Sequence, residues 1–341
     1  MNRQSFRTGL PGLFLAFALC ATASEPAPPP VQAWLTTHDH RQALAPMAPI
    51  ALGAPVALPI AIEVQADAPR QAMVGFGASI TDASAQVLQQ LPAPAREALL
   101  RELFGRQDGG LGLGFTRLTI GASDFSPHHY SLDDTPGDAP DPQLAHFSIA
   151  PNLGDVVPVT RAALAINPQL KVMASPWSAP AWMKSNRSLV RGTLGPAAYD
   201  AFARYLLRYV DAYAQQGIPI WALTVQNEPD FEPKDYPGMR LNAPARARFI
   251  GGHLGPLLAA RGQAAPLLFD WDHNWEKPEE PLAVLGDARA NRYIAAVAWH
   301  CYGGTPDAQS RVQQAFPDKD VYLTECSGGD WEPLRSGGLI P

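Results

Sequence analysis

The chain has 341 residues, long enough for one α/β barrel or two smaller domains and too long for a single small module. Hydrophobic residues make up 46% and charged residues 17%, which excludes a disordered chain, and a formal net charge of −6 argues against nucleic acid or anionic membrane as a partner. No apolar run after the N-terminal stretch approaches transmembrane length, so stable membrane insertion is not expected.

Arg3 and Arg7, an apolar stretch from Leu13 to Cys20, and Ala21-Thr22-Ala23 before Ser24 make the three-part pattern of a secretory signal over 1–23. The expected location is secreted or periplasmic. Lipid anchoring at Cys20 is the lesser reading, because the bulky Leu19 before it fits poorly. Residues 24–30 are a stiff Pro-rich linker. An N-terminal β segment is expected over 31–70, with weak alternation at 31–37 and better alternation at 60–64.

From residue 71 a strand and helix rhythm sets in. Apolar runs predict seven strands, at 73–77, 115–120, 171–175, 218–226, 267–270, 294–300 and 321–324. Between them Tyr199, Phe202, Leu206, Tyr209, Val210 and Tyr213 recur at helical spacing, as do Phe249, Ile250, Leu254, Leu257 and Leu258. Such alternation predicts an α/β fold of parallel strands with covering helices. A (β/α)8 TIM barrel fits 71–341 better than an open nucleotide-binding sheet, because Gly75-Phe-Gly77-Ala78 is only half a phosphate-loop fingerprint. Repeats of roughly 30 residues would put an eighth strand past Pro341, so an incomplete, seven-stranded barrel is expected.

Two of these runs end in carboxylates. Glu228 follows 218–226 within Gln226-Asn-Glu-Pro229, and Glu325 follows Val321-Tyr-Leu-Thr324. A charge at the end of an apolar strand is costly unless it has work to do. Parallel strands of one barrel bring their C-terminal ends to one face, so the two carboxylates converge there, and paired carboxylates suggest glycoside hydrolysis.

The remaining polar signals are weaker. His38-Asp39-His40 and His128-His129 lack a third ligand at metal spacing, so no metal or other cofactor is expected. The stretch from Asp133 to Pro142 reads as a solvated acidic loop over the barrel rim. Asp272-His273-Asn274 either shapes a pocket mouth or caps a loop. Cys301 and Cys326 pair if their strands are neighbours, or are two small buried thiols.

Seven blocks in order carry a resemblance: Gly75-Phe-Gly-Ala-Ser-Ile-Thr-Asp-Ala83, Arg117-Leu-Thr-Ile-Gly-Ala-Ser-Asp-Phe-Ser126, Ala174-Ser-Pro-Trp-Ser-Ala-Pro-Ala-Trp-Met-Lys184, Gln226-Asn-Glu-Pro229, Asp272-His-Asn274, Trp299-His-Cys-Tyr302 and Thr324-Glu-Cys326. Together, over roughly 31–334, the chain resembles glycoside hydrolase family 30, the family of glucosylceramidases, β-1,6-glucanases and related β-xylosidases. Members of that family add an eighth strand and a β-sandwich to which the N-terminal β segment contributes.

The resemblance implies that Glu228 is the general acid and base and Glu325 the nucleophile of a retaining β-glycosidase, working without metal or cofactor on a β-linked glycoside or glycolipid. It makes the chain most like a glucosylceramidase, with a β-1,6-glucanase or β-xylosidase as the alternative and an inactive, carbohydrate-binding remnant as the other class. It implies that Asn227 bonds the sugar 2-hydroxyl and that Asp124, Trp177 and Tyr302 hold the sugar, although Asn227 also fits loop satisfaction and Asp124 a helix cap. Arg117 is the expected partner keeping Glu325 charged. His300 either lines the pocket or is a core histidine, and Trp182 and Trp299 read as core.

Overall fold

The computed structural model describes residues 29–39, 41–53, 60, 62–107 and 109–328. The secretory signal over 1–23, residues 24–28 of the linker, His40 and Ala61 lie outside the described residues.

The chain divides into two compact units, with the division at Pro69. In the first, β1 (Trp34–Leu35) pairs antiparallel with β2 (Ala45–Pro46), and Val31 bridges Ile50. The pairing expected of 60–64 does not form: the described residues of that run carry no strand, and Ile62 and Val64 lie exposed.

The second unit alternates as expected. Helices α1 (Asp82–Gln90) and α2 (Ala93–Phe104) precede β3 (Phe115–Ile120); α3 (Val156–Ile166) leads to β4 (Lys171–Pro176), and α4 (Tyr199–Gln215) to β5 (Ala222–Thr224). Helices α5 (Ala243–Phe249) and α6 (Gly255–Ala260), joined through a π-helical turn, precede β6 (Leu267–Asn274). Then come α7 (Glu279–Leu285), α8 (Ala288–Asn291), β7 (Ala296–His300), α9 (Asp307–Ala315) and β8 (Asp320–Glu325).

The strands β3 to β8 pair in chain order, all parallel, as part of a TIM barrel. Six described strands replace the seven expected. Residues 73–77 make a single bridge, Gly77 to Phe115, and leave Met73, Val74 and Phe76 exposed. The reason is local: Gly75 sits at φ +148°, and Gly77 presses so close to β3 that a Cβ there would lie 1.8 Å from the Phe115 carbonyl oxygen.

Helix α4 shows why the pattern folds this way. Its stripe of Tyr199, Phe202, Leu206, Tyr209, Val210 and Tyr213 is buried, and Tyr199 and Phe202 meet Phe249 of α5 ring to ring at 5.6 and 5.4 Å. Inside the curled sheet, alternate residues point inward in layers. The lower layer is aromatic: Phe269 stacks on Tyr322 at 4.7 Å, and Tyr322 lies 6.1 Å from Phe115, so the first and last described strands of the sheet meet across its interior. Above this apolar floor the inward residues turn polar, at Arg117, Ser175, Thr224, Asp272 and His300.

Candidate active site

Strand β6 makes the decisive local departure from the sequence pattern. It runs past Asp270 to Asn274, with a register shift against β7 between Trp271 and His273. Trp271 and Asp272 carry φ of +77° and +56°, uncommon for side-chain-bearing residues. The bulge turns Asp272 inward, fully buried, so the expectation that it shapes a pocket mouth or caps a loop is corrected.

Asp272 is the hub of the polar layer. Its Oδ2 accepts from Arg117 Nη2 at 2.8 Å and Ser175 Oγ at 2.8 Å, and lies 2.7 Å from Thr224 Oγ1. Its Oδ1 accepts from Thr324 Oγ1 at 2.6 Å and pairs with His300 Nε2 at 3.0 Å. Burial alone would raise this carboxyl, but the Arg117 guanidinium and His300 hold it well below the usual carboxylate range.

Arg117 divides its donors among the same groups. Nη1 donates to Glu325 Oε2 at 2.7 Å and Nη2 to Asn227 Oδ1 at 2.6 Å. Burial opposes its charge, yet Asp272 and Glu325 raise its pKa further above the ordinary arginine value. The expected pairing of Arg117 with Glu325 is present, and the Arg117 cation also lies 4.7 Å above the Trp177 ring. One face of Trp177 is therefore taken by a protein cation.

Glu228 stands across the layer from Glu325. Its backbone has φ +48°, a costly conformation held by its N–H donating to Asp272 O at 3.0 Å, while Asn227 N donates to Pro176 O at 2.8 Å. Glu228 Oε1 lies 3.2 Å from His300 Nδ1 and 3.2 Å from His273 Nδ1. Desolvation pushes the Glu228 carboxyl up, but the two histidines win and hold it at about 2. His300, fully buried, is pushed up to about 9: burial opposes its charge, and Glu325, Asp272 and Glu228 overcome that.

His300 Nδ1 also lies 3.9 Å from Glu325 Oε1. The two glutamate oxygens are thus within roughly 7 Å of each other, a bound that admits the separations used by glycoside-cleaving carboxylate pairs. The structure brings Glu228, Glu325, Arg117, Asn227 and His300 into one cluster. His300 is both of its sequence alternatives, a fully buried histidine and a contact of the site.

The other expected residues stand around it. Asp124 keeps solvent access, and its carboxyl is raised by partial burial and by the charges of Glu325 and Glu228. Tyr302 is half-exposed; its phenol lies 3.0 Å from Ser327 Oγ and is pushed up to about 12 by burial and by Glu325. Trp299 is core, as expected, whereas Trp182 is half-buried and donates through Nε1 to Asp133 at 2.9 Å. Asp133 is fully buried, so the stretch up to Pro142 is anchored at its start and is not simply a solvated loop.

Several site residues have no sequence signal of their own. Ser175, Thr224 and Thr324 read as ordinary strand residues, and only their inward register, set by Arg117 and Asp272, shows them. Trp177, Asn227, Phe231 and Tyr236 surround Glu228 in a crevice too narrow for a water molecule. The Tyr236 phenol is raised well past its ordinary value by burial and by Glu228, Asp124 and Glu325. Cys301 and Cys326, each next to a site residue, are joined as a disulfide with Cα atoms 5.2 Å apart, which decides between the two readings of these cysteines.

Comparison with known proteins agrees with the architecture. The family model for the "Glycosyl hydrolase family 30 TIM-barrel domain" matches residues 73–333. An endo-1,6-β-D-glucanase of Aspergillus fumigatus is 33% identical over 293 residues, covering 80% of this chain and 59% of that protein. A putative glucosylceramidase of Caenorhabditis elegans is 30% identical over 272 residues, covering 76% and 51%. The solved structure of an endo-β1,6-glucanase superimposes with a TM-score of 0.81 at 30% identity, covering 90% of this chain and 68% of that one. The chain thus spans little more than half the length of these two sequence relatives. On the family match and the shared fold, it belongs to glycosyl hydrolase family 30.

Proposed function

We propose that this chain carries the catalytic centre of a retaining β-glycosidase acting on β-1,6-linked glucan. The observation that carries the reading is the convergence of Glu228 and Glu325 on one buried network of Arg117, Asp272 and His300. Glu325, with one oxygen on Arg117, attacks the anomeric carbon as the bond to the leaving oxygen breaks. That oxygen takes its proton from Glu228, and a glycosyl ester forms on Glu325. Water then attacks the same carbon, Glu228 removes its proton, and the ester bond breaks to regenerate Glu325 with net retention.

Without substrate the proton of the Glu228–His300 pair rests on His300. A leaving oxygen arriving beside Glu228 draws it across the 3.2 Å contact. Asn227, whose Oδ1 is held by Arg117, keeps its amide N–H groups for a sugar hydroxyl. Asp124, Trp177 and Tyr302 line the approach.

The sequence alone favoured a glucosylceramidase-like substrate. The higher identity to the fungal glucanase and the structural likeness to an endo-β1,6-glucanase support the glucan reading instead. Side-by-side assays on β-1,6-glucan, glucosylceramide and an aryl β-xyloside test it, with NMR following the first-formed anomer. Faster turnover of glucosylceramide would overturn the substrate, and an α-anomeric first product would overturn the mechanism.

A further inference from the structure

We propose that Glu228, His273 and His300 form a binding site for a borderline-soft divalent cation of the zinc class, and that an ion held there blocks the carboxylate assigned above as proton carrier. The three ligand atoms lie within 4.8 Å of one another. Both imidazole Nδ1 atoms stand 3.2 Å from the same Glu228 oxygen. Tetrahedral zinc with bonds of about 2.0–2.1 Å sets its ligand atoms roughly 3.3 Å apart, so two edges of the triangle are already at the right length. The third edge, between the histidines, is within 4.8 Å and shortens when an ion binds.

Two features separate this group from a chance cluster. His300 Nε2 is tied to the buried Asp272 at 3.0 Å, the carboxylate–imidazole arrangement that orients a metal-binding histidine, and the ion displaces the proton that His300 Nδ1 shares with Glu228. His273, 6% exposed, keeps its Nδ1 buried without a hydrogen-bond partner among the described residues, and that atom faces the Glu228 oxygen. A buried ring nitrogen without a well-formed hydrogen bond is rare and costly, and coordination to a cation would satisfy it. The Trp271 ring, 5.2 Å from the His273 ring, packs beside it.

Access and selectivity follow from the surroundings. Glu228 is 15% exposed, so an ion approaches the group from the side of its carboxylate. Two nitrogens and one carboxylate suit zinc or copper(II), whereas calcium and magnesium require six or more ligands, mostly oxygen. Binding needs no assumption about hydrolysis; only the blocking clause rests on the proposed function.

Titration of the full chain with zinc chloride by calorimetry tests the site. One ion per chain with micromolar affinity is expected, with no uptake of magnesium. Affinity should fall at least tenfold in His273→Gln and stay unchanged when the exposed His128 and His129 are both replaced by alanine. Cobalt(II) on the unaltered protein should give the intense visible bands of a four-coordinate ion, a readout that holds even where a variant fails to fold.

No stoichiometric zinc uptake, undiminished affinity in folded His273→Gln, or a six-coordinate cobalt spectrum would each overturn the site. Zinc binding that leaves glucan hydrolysis untouched would overturn the blocking clause. Zinc binding by a chain with no hydrolytic activity would overturn the proposed function and leave the site standing.

Discussion

Arg117 on β3 and Glu325 on β8 stand on the first and last described strands of the parallel sheet, yet Arg117 Nη1 lies 2.7 Å from Glu325 Oε2. The sheet is curled so far that its two sides share an ion pair, as Phe115 and Tyr322 share a ring contact one layer below. The position of Glu325 therefore depends on a cation from the far side of the interior as well as on its own strand.

Replacing Arg117 tests that dependence. Arg117→Lys keeps the charge but loses the planar fork that reaches Asp272, Asn227 and Glu325 together. A fall in kcat/KM of about a hundredfold is expected, equal to about 2.7 kcal/mol. Arg117→Met also leaves Asp272 buried without its main countercharge, and chemical denaturation should show a loss of about 3–5 kcal/mol. Unchanged kcat/KM in the lysine variant would show that Glu325 is placed by its own strand alone.

The two glutamates give separable results. Glu228→Ala and Glu325→Ala should each lower turnover of an unactivated β-glucoside at least about a thousandfold, on the order of 4 kcal/mol. Azide then distinguishes the roles. In the Glu228 variant it intercepts the glycosyl-enzyme and gives a β-glycosyl azide; in the Glu325 variant it replaces the missing nucleophile and gives the α-product. Exchanged anomers in the NMR spectra would exchange the assignments.

Much of this site is legible in the sequence because strand-closing carboxylates are chemically conspicuous. Glu228 and Glu325 follow apolar runs, and Arg117 interrupts one. Asp272 is legible only as a polar residue near a strand end, because the apolar pattern stops at Asp270 and a bulge has no periodic signature. The run at 73–77 misleads in the opposite direction: it is apolar enough for a strand, but its two glycines meet β3 at one point only. Hydrophobic pattern reports burial and period, and it is silent where a positive φ re-aims one side chain.

Asp272→Asn measures what that bulge contributes. The amide preserves shape but removes the charge that pairs with Arg117 and His300, and it presents an N–H₂ to donors already aimed at it. Stability should fall by about 3 kcal/mol or more. Activity should fall in kcat more than in KM, because Asp272 touches the charged partners of both glutamates and lies too deep to meet substrate.

The Cys301–Cys326 bond ties together the residues that follow His300 and Glu325. Closing a loop of this length stabilises a chain by about 3 kcal/mol through the unfolded state. Replacing both cysteines with serine should cost that much in urea unfolding. It should also lower kcat severalfold, since β8 has no described neighbour beyond it to hold Glu325 in register. Full kcat in a folded double variant would restrict the bond to a stabilising role.

Lys184 supplies a pH signature away from the glutamates. The residue is 4% exposed, and its ammonium donates to Ser178 Oγ at 2.7 Å and to the carbonyls of Leu189 and Gly238 at 2.8 Å each. Burial nevertheless lowers its pKa to about 7, against an ordinary value near 10.4. Between those values the unfolded chain holds a proton that the folded chain has released, so this residue's contribution to stability rises with pH across that window. The slope is at most about 1.4 kcal/mol per pH unit, and below pH 7 it vanishes because both states are protonated. Lys184→Met removes the titration and leaves the two carbonyls without their donor, at a cost of about 1–3 kcal/mol. Urea unfolding of both proteins at pH 6, 7.5 and 9 should show the wild-type advantage growing from the lowest pH to the highest. An advantage that stays flat over that range would mean that the three acceptors hold the ammonium charged in the fold, outweighing its burial.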